Sequence, residues 1–153
     1  MTLHTLHQEQ FLPITAEDAW QFFSSPANLN ELTPDDIGFQ ITSPHSAKLF
    51  EGQIITYRIK IAPWIRVKWV TEIKCVEAGR SFIDEQRFGP YKFWHHRHQF
   101  EPVHGGVMMT DWVNYALPFG IFGAIAHRAF VRRKLESIFN FRKKALIERF
   151  GNV

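Results

Sequence analysis

The sequence predicts an α+β domain in which a curved antiparallel sheet wraps around one long C-terminal helix. Three observations carry this expectation. Residues 38–116 read as successive strands, rich in β-branched and aromatic side chains and broken only by short turn motifs. After Pro118 the apolar period changes from two to about 3.6 and holds for about 30 residues. Ahead of the strands, PITAEDAWQFFSS carries the chemistry of a helix start.

Residues 3–12 (LHTLHQEQFL) form the first expected strand. Thr15 then offers an N-cap, and Glu17 and Asp18 fall in the first turn, where the helix dipole favours acids. Ala19, Trp20 and Phe23 give this helix an apolar face, Pro26 ends it, and PANLNELTP predicts a second short helix or turn. The strand run follows as GFQIT, GQIITYRIKI, WIRVKWVTEIKCVE, SFIDEQRF, YKFWHHRHQFEP and GVMMTDWVNYAL. Gly79-Arg80, Gly89-Pro90 and His104-Gly105-Gly106 separate the later strands, which implies consecutive antiparallel hairpins.

The last segment predicts a single amphipathic helix of about 45 Å. Ile125, Val131, Leu135, Ile138, Phe139, Leu146 and Phe150 make its apolar stripe, and Arg132, Arg133, Arg142, Lys143 and Lys144 lie mostly off it. A sheet with one apolar face needs a cover, and no other element is large enough. A strongly curved sheet around one helix leaves a hollow between them.

The chain has 153 residues, with no repeat and no linker, so residues 1–153 are expected to be one domain. It is 45% hydrophobic and 15% aromatic, a folded composition rich enough in rings to line a cavity. From His127 onward eight Lys or Arg face two Asp or Glu, a local charge of +6 that leaves the first 126 residues at −3. No nucleic-acid-binding motif accompanies this cluster, and the core needs the other face of its helix, so nucleic acid is not expected. A basic amphipathic helix beside the apolar loop 116–122 is compatible with a weak contact with anionic membrane. The lone Cys75 excludes an internal disulfide framework, and no N-terminal signal pattern is visible, so a cytoplasmic protein is expected. Monomer and homodimer both stay open.

FLPITAEDAWQFFSSPANLNELTP (11–34), FIDEQRFGPYKFWHHRHQF (82–100) and YALPFGIFGAIAHRAFVRRKLESIFNFR (115–142) resemble the START/polyketide-cyclase superfamily, also called SRPBCC, in its bacterial cyclase/dehydrase-type ligand-binding branch. The resemblance covers nearly the whole chain. It implies a helix-grip fold and an internal ligand cavity, with no structural metal. Members of the superfamily include lipid carriers, cyclases, hormone receptors and quinone-related chaperones.

Three histidines lie within residues 95–98. Strand alternation places Trp94, His96, His98 and Phe100 on one face, expected inside, and His95 and Arg97 on the other. His96 and His98 could share a metal ion if Asp84 or Asp111 supplied a further ligand. Cys75 is alone, however, and no other His pair has metal-ligand spacing, so neither a metal nor another cofactor is expected.

The same strand logic directs Asp84 and Gln86, and Asp111 and Tyr115, toward the His96/His98 wall. A carboxylate-oriented imidazole is a workable general acid or base near neutral pH. The candidate ligand contacts are Trp69, Asp84, Gln86, Trp94, His96, His98, Phe100, Asp111, Tyr115, Leu135, Ile138 and Phe139. Trp64 is expected at the rim. The reading favoured is a cavity that binds a small hydrophobic or amphipathic molecule. The alternative is a cyclase or dehydratase, for which His96, His98, Asp84 and Asp111 are the candidate reactive groups. Nucleophilic catalysis has no support, because no Ser occupies an elbow motif and Cys75 has no His nearby in sequence.

Overall fold

A computed structural model of the chain describes residues 2–44 and 46–151. Strand β1 (His4–Leu12) leads into helix α1 (Ala16–Phe23). Thr15 caps α1: its hydroxyl accepts from the Asp18 backbone N–H at 3.0 Å and donates to the Asp18 carboxylate at 2.6 Å. Thr15→Ala is therefore expected to lower stability by about 1 kcal/mol, read as a shifted urea midpoint at unchanged slope. The second short helix is a 3-10 turn over Pro26–Asn30, and another short 3-10 turn over Asp35–Ile37 follows it.

The strands are β2 (Gln40–Ile41), β3 (Ile54–Ala62), β4 (Ile65–Glu77), β5 (Ser81–Phe88), β6 (Phe93–Val103) and β7 (Gly106–Ala116). With β1 they make one seven-stranded antiparallel sheet in the order β1-β7-β6-β5-β4-β3-β2. The first strand thus pairs with the last, Leu12 opposite Val107, and each remaining neighbour is a hairpin partner. Register shifts interrupt the β3–β4 and β4–β5 pairings, and Cys75 in β4 takes φ +51 at one of them. Between β6 and β7 the register is unbroken from Phe93 to Val103, so the alternation expected around His95 and His96 holds.

The C-terminal element differs from a single regular helix. Helix α2 (Gly120–Ala126) passes through a π turn over His127–Val131 into helix α3 (Arg132–Phe150). One extra residue in that turn rotates everything before it relative to the stripe that follows. Ile125 is accordingly exposed, whereas Leu135, Phe139 and Leu146 are buried.

Two apolar clusters build the inner face of the grip. In the first, Leu12, Phe100, Met109 and Leu146 close one end as a solid core, and Phe22, Phe23 and Phe82 pack on them from the cavity side. Trp69, Trp94, Val113, Tyr115, Leu135 and Phe139 form the second. Among the described residues no helix is long and apolar enough to cross a membrane.

Candidate functional site

Three neighbouring strands place four polar side chains on one face. Asp84 of β5 lies opposite His96 of β6, and His98 lies opposite Asp111 of β7. Because the side-chain period is two, both cross-strand pairs point into the grip. Direct and diagonal contacts then link all four. His96 Nε2 lies 2.9 Å from Asp111 Oδ1 and His96 Nδ1 lies 3.2 Å from Asp84 Oδ2. His98 Nε2 lies 2.7 Å from Asp84 Oδ2 and His98 Nδ1 lies 3.2 Å from Asp111 Oδ1. The two imidazoles lie side by side, ring centres 3.8 Å apart and planes tilted by 36°. Phe82 stacks on the outer face of His98, its ring centre 4.3 Å away, and the Trp94 indole N–H donates to Asp84 Oδ1 at 3.0 Å.

Arg142 of α3 completes the group. Its guanidinium lies 3.3 Å from Asp111 Oδ1 and sits over the Phe23 ring at 5.4 Å. Sequence reasoning put Arg142 off the apolar stripe, and this is the main correction to the site. Leu135, Phe139, Arg142 and Leu146 follow one another at spacings of four, three and four, so Arg142 belongs to the inward face. That spacing was legible and its charge concealed it.

Burial alone would raise the pKa of both carboxylates. For Asp84 the charge of His96 and hydrogen bonds from both imidazoles outweigh it, and the group lies far below the usual carboxylate range. For Asp111 burial is outweighed by Arg142 first, then by hydrogen bonds from both imidazoles and the His96 charge. Burial pushes His96 down, but the Asp84 charge and the hydrogen bonds to Asp111 and Asp84 hold its pKa above the ordinary imidazole value. The Asp84 and Asp111 carboxylates thus face the Arg142 guanidinium and an imidazole, His96, whose proton affinity they raise. Such a group can orient a polar ligand, and His96 is placed to give or take a proton.

The site forms one wall of a cavity of about 800 Å³ between the sheet and the C-terminal helices. Trp69, Asp84, Trp94, His96, His98, Leu135, Ile138 and Phe139 line it, as does Arg142. The other expected contacts lie elsewhere. Asp111, 1% exposed, stands behind the imidazoles. Phe100 belongs to the solid core, its ring centre 5.0 Å from that of Phe23. Tyr115 is buried in the second cluster beside Tyr91 and Trp94. Gln86 braces the β5–β6 turn instead: its amide donates to the Tyr91 carbonyl at 2.7 Å and accepts from the Tyr91 N–H at 3.2 Å.

Tyr57, which sequence reasoning did not single out, also lines the cavity, together with Thr71. The Tyr57 hydroxyl lies 2.7 Å from the Thr71 hydroxyl, which also accepts from the Trp69 indole N–H at 3.0 Å. Burial and the nearby Asp84 charge drive the Tyr57 phenol far above its usual value, so it remains a neutral donor. Its signal was the alternation of Ile55, Tyr57 and Ile59 in β3. Trp64 is 94% exposed at the β3–β4 turn, and the cavity reaches the surface at Phe119 and Phe122, both exposed. Trp20 packs edge-on against Phe82 and Phe100.

No protein-family model and no curated protein matches the sequence. Solved structures do match it along nearly all of its length. A norcoclaurine synthase from Thalictrum, solved with a transition-state analogue, is 14% identical with a TM-score of 0.66, over 97% of this chain and 96% of its own. The KanY protein is 10% identical with a TM-score of 0.73, over 99% and 100% of the two chains. Protein CV1439 from Chromobacterium violaceum is 14% identical with a TM-score of 0.72, over 98% and 99%. At such low identity these likenesses speak for the fold, and together with the seven-stranded sheet gripping its C-terminal helix they establish a helix-grip fold.

Proposed function

We propose that this chain is a ligand-binding member of the SRPBCC superfamily that takes up a small hydrophobic or amphipathic molecule in the cavity between sheet and helix. The observation that carries this reading is the cavity. At about 800 Å³ it falls within the range of about 300–1,000 Å³ typical of small-molecule sites, and its walls are mostly apolar. Aromatic and aliphatic side chains supply burial. The polar wall of Asp84, His96, His98 and Arg142, with Tyr57 and Thr71 nearby, would fix the head of the ligand. The neighbouring norcoclaurine synthase, seen with a transition-state analogue, supports the view that this fold can hold an organic molecule. The exposed Phe119, Ile121 and Phe122 at the mouth are where a peripheral membrane contact would be made.

A second reading has its own support. A buried imidazole held between two carboxylates is the arrangement a cyclase or dehydratase uses to remove a proton beside a carbonyl and to assist loss of water. One experiment separates the readings. Native mass spectrometry of untagged protein from its own host should show one small molecule retained per chain. Incubation should leave its mass unchanged for a binder, and loss of water or an altered fragmentation pattern would favour the enzyme. A protein that retains nothing, and takes up no apolar fluorophore either, would overturn both.

A further inference from the structure

We propose that Asp84, His96 and His98 form a binding site for a divalent transition-metal ion of the zinc class, open toward the cavity, with Asp111 orienting both imidazoles from behind. The sequence offered an H-x-H pair without an assured third ligand. The register supplies one, because Asp84 lies directly across from His96 on the adjoining strand. One ligand atom from each of the three residues lies within 4.8 Å of the others.

Asp84 Oδ2 is 3.2 Å from His96 Nδ1 and 2.7 Å from His98 Nε2. In tetrahedral zinc with bonds of about 2.0–2.2 Å, neighbouring ligand atoms lie roughly 3.3–3.5 Å apart. Small movements of the side chains would therefore admit an ion. The donor set, two imidazoles and one carboxylate, suits zinc and its first-row neighbours rather than calcium or magnesium.

The surroundings match the same purpose. An imidazole that ligates a metal usually gives its other nitrogen to a carboxylate, which fixes the ring. His96 does so here, with Nε2 hydrogen-bonded to Asp111 Oδ1 at 2.9 Å, and His98 Nδ1 lies 3.2 Å from the same oxygen, with Arg142 Nη2 3.5 Å from that nitrogen. The Trp94 N–H occupies Asp84 Oδ1 and leaves Oδ2 facing the imidazoles. Arg142 lies against Asp111, and among the described residues it forms no ion pair with Asp84. All three ligand residues line the cavity, so a fourth position faces the space where a ligand oxygen would sit. That last step rests on the cavity reading; the metal site itself does not.

The test uses untagged protein stripped with a chelator and titrated with zinc chloride by calorimetry at about pH 8, with cobalt(II) absorption as a check on geometry. One ion per chain and a raised melting temperature are expected for the native sequence. Asp84→Asn and His98→Ala should each weaken zinc binding about 100-fold or more, while His7→Ala, which removes an exposed imidazole near Glu9, should leave it unchanged. Melting curves without zinc establish that each variant is folded. Absence of stoichiometric zinc would overturn the proposal, as would equal affinity in Asp84→Asn or loss of binding in His7→Ala. Because zinc is titrated with no organic ligand present, failure here leaves the cavity reading intact, and an empty cavity would leave the metal site standing.

Discussion

Asp111→Ala is expected to lower the unfolding free energy by about 3–5 kcal/mol, the range for breaking a buried ion pair by removing one partner. Asp111 is fully enclosed and accepts from His96 at 2.9 Å while lying 3.3 Å from the Arg142 guanidinium. Without it the Arg142 charge has lost its nearest anion, and Arg142 Nε is already buried without a partner. His96 keeps its contact with Asp84, so the loss falls chiefly on Arg142. A companion variant, Asp111→Ala/Arg142→Met, removes both charges and should recover part of the loss, since apolar replacement of a buried pair is often close to neutral. Urea denaturation in chelator-containing buffer measures both. A loss below about 1 kcal/mol for the single variant, the size of an exposed pair, would show that water reaches Asp111 and that the polar group is not sealed.

The parts of this structure that were legible in the sequence are those governed by local periodicity. Alternation alone separated Trp94, His96, His98 and Phe100 from His95 and Arg97, because β6 carries no bulge. The N-cap at Thr15 and the hairpin turns were readable because they depend on one to four adjacent residues. What alternation cannot tell is where along a face the hollow begins. Phe100 shares the inward face of His98 yet packs into solid core, because α1 brings Phe23 against it. Gln86 shares the face of Asp84, but the β5–β6 pairing ends at Glu85 and His95, and the Gln86 amide meets Tyr91 of the connecting turn instead. The π turn was invisible because it changes the helical phase without any Pro or Gly at the turn itself. Pairing of His96 and His98 with two carboxylates at once depended on strand register across three strands, which no single strand specifies.

Ile59→Trp/Ile138→Trp is expected to weaken binding of an apolar fluorophore by about 100-fold, with each single change giving about 10-fold. The two positions approach the cavity from different walls, Ile59 from β3 and Ile138 from α3, and both line it. Each substitution exchanges space that a ligand would occupy for protein atoms. Since every tenfold change in affinity corresponds to about 1.4 kcal/mol, the pair amounts to roughly 2.8 kcal/mol if the two act independently. Stability is the discriminating control. A large side chain forced into a packed interior costs about 1–3 kcal/mol, whereas one that enters an existing void need not strain its neighbours. Unchanged or raised stability together with lost binding would locate the ligand in this cavity. Unchanged binding in the double variant would instead move the fluorophore to the exposed rim at Phe119 and Phe122, where apolar side chains meet solvent without enclosing anything.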